Sequence, residues 1–314
     1  MQNLKSLLLG TTIFFLINTI AAQQLPQAES FNSTNFVWNP AMTGIEDFWQ
    51  IGTTFKRQWM GFNDAPTNAN LNFQYPIEDK NMAVGTYLIH DRVNPLRFNS
   101  IGFTYAYQVS FGRKRKDVLS LGLMANLSEI SLAGNTVVVN DYSDALLPEN
   151  GSSQLAPNVG VGVYYQSFKG NPFEKEYFYG GFASNQLLKT QIVFDTDTSD
   201  IQLARVFHGN ALAGYHFLKG KFSIDPVLWT NFTSSKLTHT LLSVKLEQEN
   251  TFWTTVSFAL DKTIALQIGA ILNNKLLKSG VIRVGTQATY NAGKLGQYQD
   301  FGYEFFLAYR VFTK

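Results

Sequence analysis

Short segments in which every second residue is apolar follow one another along most of this chain, from Trp49 to Val311. In the last of them, residues 301–312, the odd positions are all aromatic or aliphatic and the even positions are mostly small or charged. Side chains of a β-strand point alternately to its two faces, so each segment is a strand with one apolar and one more polar face.

Strands of this kind suit a barrel that spans a membrane. The composition favours alternation over a continuous apolar core, with 14% aromatic residues, 15% charged residues and a mean hydropathy of −0.07. In lipid, only a closed sheet gives every strand backbone group a hydrogen-bond partner. We therefore predict an all-β fold over residues 46–314, a transmembrane antiparallel β-barrel of the outer-membrane type with about 14 strands.

The connections between the predicted strands fall into two length classes. Outer-membrane barrels have short periplasmic turns and longer outer loops. The longer connections alternate with short ones along the chain and cover Arg57–Asn68, Asp91–Phe98, Ser128–Pro157 and Asn185–Arg205. With an even strand count, this parity predicts that both termini are periplasmic.

The first 22 residues have the features of a secretory signal peptide. Lys5 gives a positive start, Leu7–Ile17 is apolar but too short to span a bilayer, and Ala21-Ala22 provides small residues for cleavage. We assign residues 23–45 to a periplasmic N-terminal segment, with plugging of the barrel and docking on a partner left open. The protein is thus expected in the outer membrane of a Gram-negative bacterium.

Several functional classes find no support in the sequence. The chain has no cysteine and a net charge of +2, which argues against thiolate metal sites and against nucleic acid as a partner. His208, His216 and His239 fall on predicted lumen faces, but no nucleophile motif accompanies them, so we expect no enzyme activity, no cofactor and no metal. The inner faces as a whole are expected to be rich in small residues and sparse in charge.

Two N-terminal motifs are more specific than the general barrel pattern. Asn39-Pro40-Ala41-Met42-Thr43-Gly44 comes first, and Arg57-Gln58-Trp59-Met60-Gly61-Phe62 follows, with Ala65-Pro66-Thr67 shortly after it. With Lys80-Asn81 and Asp91 further on, they resemble the PorP/SprF family of type IX secretion system outer-membrane proteins. The candidate structural or partner-binding residues carried by this resemblance are Asn39, Pro40, Ala41, Gly44, Arg57, Gln58, Trp59, Gly61, Pro66 and Asp91.

The resemblance implies a non-catalytic role in delivering or anchoring large adhesins at the cell surface, as in gliding motility. Its implied partners are the C-terminal domain of a secreted adhesin and other type IX components, beside outer-membrane lipid. Long outer loops are common sites of recognition. Candidate partner-binding residues in the two longest loops are Asp141, Asp144, Asn150, Asp195, Asp197 and Asp200.

The competing interpretation is a passive porin or solute transporter of the outer membrane. A barrel of about 14 strands encloses a wide lumen, which must be filled with water or with protein. The alternation alone does not show whether the lumen holds water, as in a porin, or protein. The preference for a role in secretion therefore rests on the family resemblance.

Overall fold

A computed structural model describes residues 31–62, 64–112, 116–132, 151–188, 191–194, 201–204, 207–233, 236–273, 280–293 and 301–312. Nearly all of them belong to one antiparallel sheet that closes on itself. The predicted signal peptide and residues 23–30 lie outside the described residues. Within the described part, no helix is long and apolar enough to cross a membrane.

The strands follow one another as an up-and-down barrel in which each wall strand pairs with its neighbours. Their bounds are β1 Phe48–Arg57, β2 Thr67–Ile77, β3 Met82–Val93, β4 Leu96–Phe111, β5 Asp117–Leu132, β6 Gly151–Ser152, β7 Ala156–Gln166, β8 Tyr177–Gln186, β9 Gln191–Phe194, β10 Ile201–Ala204, β11 His208–Lys219, β12 Phe222–Thr233, β13 Lys236–Gln248, β14 Phe252–Ala259, β15 Thr263–Asn273, β16 Gly280–Asn291 and β17 Phe301–Phe312.

The barrel is closed by pairing of its first and last strands. β1 and β17 run antiparallel in unbroken register from Phe48 opposite Phe312 to Arg57 opposite Tyr303. Fourteen strands form the wall, as the sequence predicted. β6 only extends the edge of β5, and β9 pairs with β10 in a separate two-stranded sheet. Closure leaves the wall without an open edge, which is the condition for a sheet in lipid.

The predicted alternation is confirmed along the wall. In β5, Leu121 and Leu123 are 52% and 59% exposed, whereas Ser120 and Met124 on the other face are buried. The same division runs through β4 and β15, with leucine, isoleucine and aromatic side chains outside. An outward apolar band around an inner polar face is what an outer-membrane barrel requires.

The two ends of the barrel differ in the length of their connections. We call the end where β1 begins and β17 ends the terminal end, and the opposite end the loop end. The terminal end carries residues 78–81, 112–116, 167–176, 220–221, 249–251 and 274–279, and the loop end carries residues 58–66, 94–95, 133–155, 187–207, 234–235, 260–262 and 292–300. The two longest connections are therefore both at the loop end.

Some predicted loop boundaries were wrong. The predicted loop at Asp91–Phe98 is a tight hairpin, because β3 continues to Val93 and β4 begins at Leu96. β5 likewise runs to Leu132, and the connection after β8 contains the β9–β10 hairpin. Near the loop end these strands contain polar residues, which interrupt the apolar alternation used to predict strand bounds. The strands continue there because backbone hydrogen bonds between strands do not require apolar side chains.

The position predicted for the N-terminal segment also needs correction. Residues 31–45, assigned to a periplasmic segment, lie inside the barrel against its inner face. Phe31, Phe36 and Ala41 are almost completely buried there. Of the alternatives left open from the sequence, the structure shows a plug, because these apolar side chains pack in one cluster with inward residues of the wall.

The lipid-facing assignment predicts how a charge on the wall affects stability. Leu123→Arg, in the middle of β5, should lower the free energy of unfolding by about 2–4 kcal/mol, because the guanidinium would meet hydrocarbon. Phe111→Arg, at the end of β4, should cost at most about 1 kcal/mol. Urea unfolding in phosphatidylcholine vesicles, followed by tryptophan fluorescence, measures both. Equal losses would contradict the placement of Leu123.

Candidate functional site

The candidate site is the lumen and the segment that fills it, residues 31–45, which we call the plug. Two 3-10 turns, Phe31–Ser33 and Pro40–Met42, flank the one-turn helix α1, Asn35–Trp38. The Asn39 side-chain oxygen accepts a hydrogen bond from the Ala41 amide at 3.0 Å and caps the second turn. Pro40 suits this first turn position because it has no amide hydrogen to satisfy there.

The Asn39-Pro40-Ala41 motif rests on bare backbone of three neighbouring wall strands. A Cβ on Gly122 would lie 2.1 Å from the Ala41 nitrogen, and one on Gly162 would lie 2.1 Å from Asn39 Oδ1. A Cβ on Gly181 would meet Asn39 Nδ2 at 2.9 Å. These contacts leave no room for any side chain, so inward glycines of β5, β7 and β8 form the seat of the plug.

Polar contacts fix the plug on either side of that seat. Asn39 Nδ2 donates to the Val163 carbonyl at 3.2 Å, and Thr43 Oγ1 donates to Thr104 Oγ1 at 2.9 Å. Gly44 has a positive φ of 56°, and its amide donates to Gln74 Oε1 at 2.9 Å. Gln108 Nε2 donates to the Gly44 carbonyl at 2.9 Å. The backbone at this turn is therefore held by two wall glutamines.

Wall asparagines hydrogen-bond to the end of α1. Asn210 Nδ2 donates to the Trp38 carbonyl at 2.8 Å, and Asn185 Nδ2 donates to the Val37 carbonyl at 3.3 Å. The last carbonyls of a helix have no partner within the helix. Because the wall supplies these partners, a very short helix is tolerated inside the lumen.

An apolar cluster holds the remaining part of the plug. The Phe31 ring stacks on Trp229 with centroids 5.4 Å apart, and Trp38 meets the same indole edge-on at 5.7 Å. Phe36 is fully buried. Burial of each such aromatic side chain contributes about 1.5–3 kcal/mol. The plug is thus a packed part of the fold and not a loosely held tail.

Below the plug, the inner face carries a network of charges. Arg283 donates two hydrogen bonds of 2.9 Å to the Glu247 carboxylate, and Lys245 lies 3.3 Å from the same group. His216 hydrogen-bonds to Asp225, and its other ring nitrogen lies 2.7 Å from the Pro172 carbonyl. The expectation of an inner face sparse in charge is therefore wrong for this part of the barrel. The alternating pattern identifies which residues face inward, but not that these form ion pairs across strands.

A cavity of about 490 Å³ separates the plug from the terminal end. Met42 and Ile45 of the plug line one side of it, and the charge network lines another. Phe48 and Phe312, the first and last wall residues, lie at its mouth. Its size and its mixture of aromatic and charged groups are those of a ligand-binding pocket.

The second sequence motif lies at the loop end, in the connection from β1 to β2. The Gln58 amide donates to the Pro66 carbonyl at 3.0 Å, and the Met60 amide donates to the Phe301 carbonyl at 3.0 Å. Trp59 adopts a positive φ of 54° and is 37% exposed. These bonds brace the connection against the neighbouring strand, and Gly61 lies exposed within it.

The structure places the other predicted residues in different surroundings. Arg57 ends β1, and Asp91, expected in a loop, lies in β3, where its carboxylate accepts a hydrogen bond of 3.1 Å from Asn68. The two motifs are thus not one site: the first forms the plug and the second braces the loop end. The predicted partner-binding residues in residues 133–150 and 195–200 lie outside the described residues.

Several residues that hold the plug were not singled out from the sequence. The sequence presents the inward glycines Gly122 and Gly181 and the glutamines Gln74 and Gln108 only as members of alternating strands. It presents Trp229 as one of the aromatic residues of an interfacial girdle, whereas the structure buries this side chain completely in the lumen. A detectable signal was the recurrence of glycine at inward positions of adjacent strands. His216 and His239 are buried, and among the described residues no group of three His, Cys, Asp or Glu is arranged to hold a metal ion.

Comparison with known proteins gives one family and a set of similar barrels. The family model described as "Type IX secretion system membrane protein PorP/SprF" matches residues 20–309. A search of the curated proteins finds no match. The matched range includes the plug and the wall strands from β1 to residue 309 of β17.

Several solved structures share the fold at low sequence identity. The CymD monoaromatic hydrocarbon channel has a TM-score of 0.51 at 11% identity, covering 90% of this chain and 93% of its own. The Ralstonia pickettii toluene transporter TbuX gives 0.51 at 11% identity, with 90% and 94% covered. A Pseudomonas aeruginosa FadL homologue gives 0.50 at 9% identity, with 88% and 93% covered. At these identities the likeness shows the outer-membrane barrel fold alone.

The glycine seat predicts how the plug can be displaced. In a chain without native cysteine, Ala41→Cys, a fully buried position, should be protected from a maleimide carrying polyethylene glycol. Adding Gly162→Val should expose this thiol, because the new side chain occupies the place of Asn39 Oδ1. Gel-shift labelling of the folded barrel in detergent measures the change.

Gly52→Val is the matched control for this experiment. It also lies on the inner face, but a Cβ there meets the movable side-chain atoms Asn72 Oδ1 at 3.1 Å and Gln50 Nε2 at 3.4 Å and lies in ordinary contact with the Ala308 Cβ at 3.5 Å, with no plug atom among these neighbours. Labelling should stay as low as in the parent. Protection that persists in a folded Gly162→Val protein would show that the plug does not depend on this seat.

Proposed function

Because this chain belongs to the PorP/SprF family of type IX secretion system membrane proteins, we propose that it is a non-catalytic outer-membrane barrel that helps deliver or anchor large secreted adhesins at the cell surface. Its partners are the C-terminal domain of such an adhesin and other type IX components. Fold and family together support a location in the outer membrane. The proposed cargo is a surface adhesin of the kind used in gliding motility, and the proposed role of the barrel is to deliver this adhesin or anchor it at the cell surface.

The observation that carries this proposal is the packed plug. A passive pore gains from an open lumen, whereas here the lumen holds a segment with aromatic stacking on Trp229 and hydrogen bonds to several strands. A closed barrel is a rigid platform for binding at its two ends. Rigid platforms bind with less loss of conformational entropy, because only the partner has to be ordered.

We assign recognition of the adhesin to the loop end, with the terminal end and both chain termini in the periplasm. The longest connections, residues 133–155 and 187–207, belong to the loop end, and recognition residues commonly lie on long loops. Their sequences contain Asp141, Asp144 and Asn150 in the first and three further aspartates in the second. The backbone bonds from Gln58 to Pro66 and from Met60 to Phe301 brace this end structurally.

The alternative function, a porin or solute transporter, has less support, because the packed plug fills part of the lumen. Its support is the fold shared with channels and transporters, which at about 10% identity carries no function. A transporter would need the plug to move during transport.

The loop assignment predicts a selective loss of partner binding. Replacing residues 133–150 and 195–200 by short Gly-Ser turns should remove the adhesin from material copurified from the native outer membrane, identified by mass spectrometry. The amount of barrel in the membrane should not change, because closure depends on β1 and β17. Replacing residues 274–279 at the terminal end in the same way is the control. Adhesin retained after both loop-end replacements would refute the assignment.

The plug predicts low ion conductance of the intact protein. In planar bilayers, the full chain should conduct far less than a variant in which residues 31–45 are replaced by a flexible Gly-Ser segment of equal length. The reason is that the plug occupies the lumen, and its removal leaves a water-filled barrel. A large, stable conductance of the intact protein would instead favour the porin.

A further inference from the structure

The outer surface of the wall carries a row of arginines at the loop end, which the proposed function does not use. The strand register places Arg57 opposite Thr67, Thr67 opposite Arg92, and Arg92 opposite Arg97, so these residues stand side by side on β1 to β4. The alternation of exposed and buried side chains along β1, β3 and β4 puts all three arginines on the outward face. We call them the arginine row.

The arginine row lies just beyond the apolar band of the barrel. On β4, every outward residue from Ile101 to Phe111 is aliphatic or aromatic. These ten steps along a strand tilted by 35–45° rise roughly 26 Å, which matches the apolar band of about 25 Å in outer-membrane barrels. Arg97 lies four residues before Ile101, so its guanidinium is at the level of the lipid headgroups.

Two members of the row are like charges in direct opposition. Arg92 and Arg97 are cross-strand partners, and like charges at such positions destabilise a sheet. Arg92 Nη2 lies 3.0 Å from Asp64 Oδ1, but both side chains of this pair are largely exposed, at 41% and 55%. Arg97 is exposed, and no ion pair among the described residues involves it. An anion placed between the two guanidinium groups would remove their repulsion.

The balance of charges at this rim leaves one cation in excess. On the outer surface of β1 to β5 and in the connection after β1, the described carboxylates are Asp64, which is paired with Arg92, and Glu129. Asp91 belongs to the inner face of β3 and faces the lumen. Arg57 Nε is buried without a hydrogen-bond partner in the described part of the chain. Three arginines thus stand against two carboxylates.

A groove in the outer wall lies directly beside the arginine row, on the side of the apolar band. Its volume is about 470 Å³, and it crosses the outer surface of β1 to β5. Thr53 and Ala69 line it with small side chains, which leave space between larger ones. The larger apolar side chains that line it are Leu71, Leu88, Ile101, Leu127 and Leu155.

Polar side chains lie between the arginines and the apolar part of the groove. His90, Asn99 and Glu129 line the groove two residues nearer the loop end than its apolar row, and His90 Nδ1 lies 2.7 Å from Asn99 Oδ1. Over roughly 13 Å along the strands, the wall therefore changes from cationic to polar to apolar. A membrane lipid has the same order of groups, with a phosphate, a polar backbone and an acyl chain.

We propose that the arginine row and the groove bind a phosphorylated acyl lipid of the surrounding membrane. The phosphate lies between Arg92 and Arg97, because guanidinium groups form paired, charge-assisted hydrogen bonds with phosphate oxygens. One acyl chain lies in the groove along Leu88 and Ile101. A soluble phosphate would use the arginines alone, so the groove favours a lipid. The site depends on the proposed function only for its leaflet, since the loop end is assigned there to the cell surface.

The test measures binding of dimyristoyl phosphatidic acid to the purified full-length barrel in detergent by native mass spectrometry. Dimyristoylglycerol, which lacks only the phosphate, should bind at least about tenfold more weakly, because the charge-assisted hydrogen bonds are lost. Glycerol 3-phosphate, which lacks the acyl chains, should also bind at least about tenfold more weakly, because the groove then stays empty.

Two variants tie the binding to the residues proposed. Arg97→Gln should weaken phosphatidic acid at least about fivefold, because one guanidinium no longer contacts the phosphate. Ala69→Phe should weaken it at least about threefold, because the new ring fills the groove. Lys219→Gln is the control, since it removes one positive charge from an exposed position at the terminal end, and it should leave the affinity unchanged.

Several results would overturn the proposal. Equal binding of phosphatidic acid and dimyristoylglycerol would exclude recognition of the phosphate, and equal binding of phosphatidic acid and glycerol 3-phosphate would exclude a lipid site. An unchanged affinity in Arg97→Gln or in Ala69→Phe would do the same for the residues named, and an equal loss in Lys219→Gln would show a general effect of charge. Both substituted positions are on the outer surface, so the interior of the barrel is untouched.

The outcome is separate from that of the proposed function. Binding is measured in detergent without an adhesin, and it does not depend on which end of the barrel faces the cell surface. Loss of adhesin copurification in the loop replacements would therefore leave the lipid result standing.

Discussion

The close approach of Asn39-Pro40-Ala41 to the barrel wall is the contact on which the interior depends. Because Gly122, Gly162 and Gly181 leave bare backbone, the motif lies where other residues would place side chains. This seat positions Gly44 between two wall glutamines, and it sets α1 against the wall asparagines. The rest of the plug is then close enough to Trp229 to bury its aromatic residues.

The lumen has two regions whose lining residues differ in chemistry. Strands β5, β7 and β8 offer glycine to the plug, while β12, β13, β16 and β17 carry the charges at the terminal end. The first surface is built for close packing, and the second satisfies its charges by pairing across strands. A lumen lined by side chains everywhere would exclude the plug, and a lumen lined by glycine everywhere would have no place for the paired charges. Here the same sheet provides a seat and a cavity side by side.

The architecture was readable from the sequence because it depends on a local period. Alternation identified the wall strands, the closed sheet and, in the last strand, the inward position of even-numbered residues such as Glu304. Pairing partners such as Arg283 and Glu247 are 36 residues apart and lie on different strands, so no local pattern identifies them. The plug was left undecided for a related reason, since its burial depends on wall residues that are distant in sequence. The loop-end hairpin at Val93 was missed because polar residues continue the strand.

The linker between the plug and β1 is very short. Only residues 46 and 47 separate the plug from Phe48, and two extended residues span roughly 7 Å. A plug that leaves its seat therefore remains tethered at the terminal mouth, at a high effective concentration relative to the seat. Return is an intramolecular event, so opening of this barrel is inherently brief unless something holds the displaced segment outside.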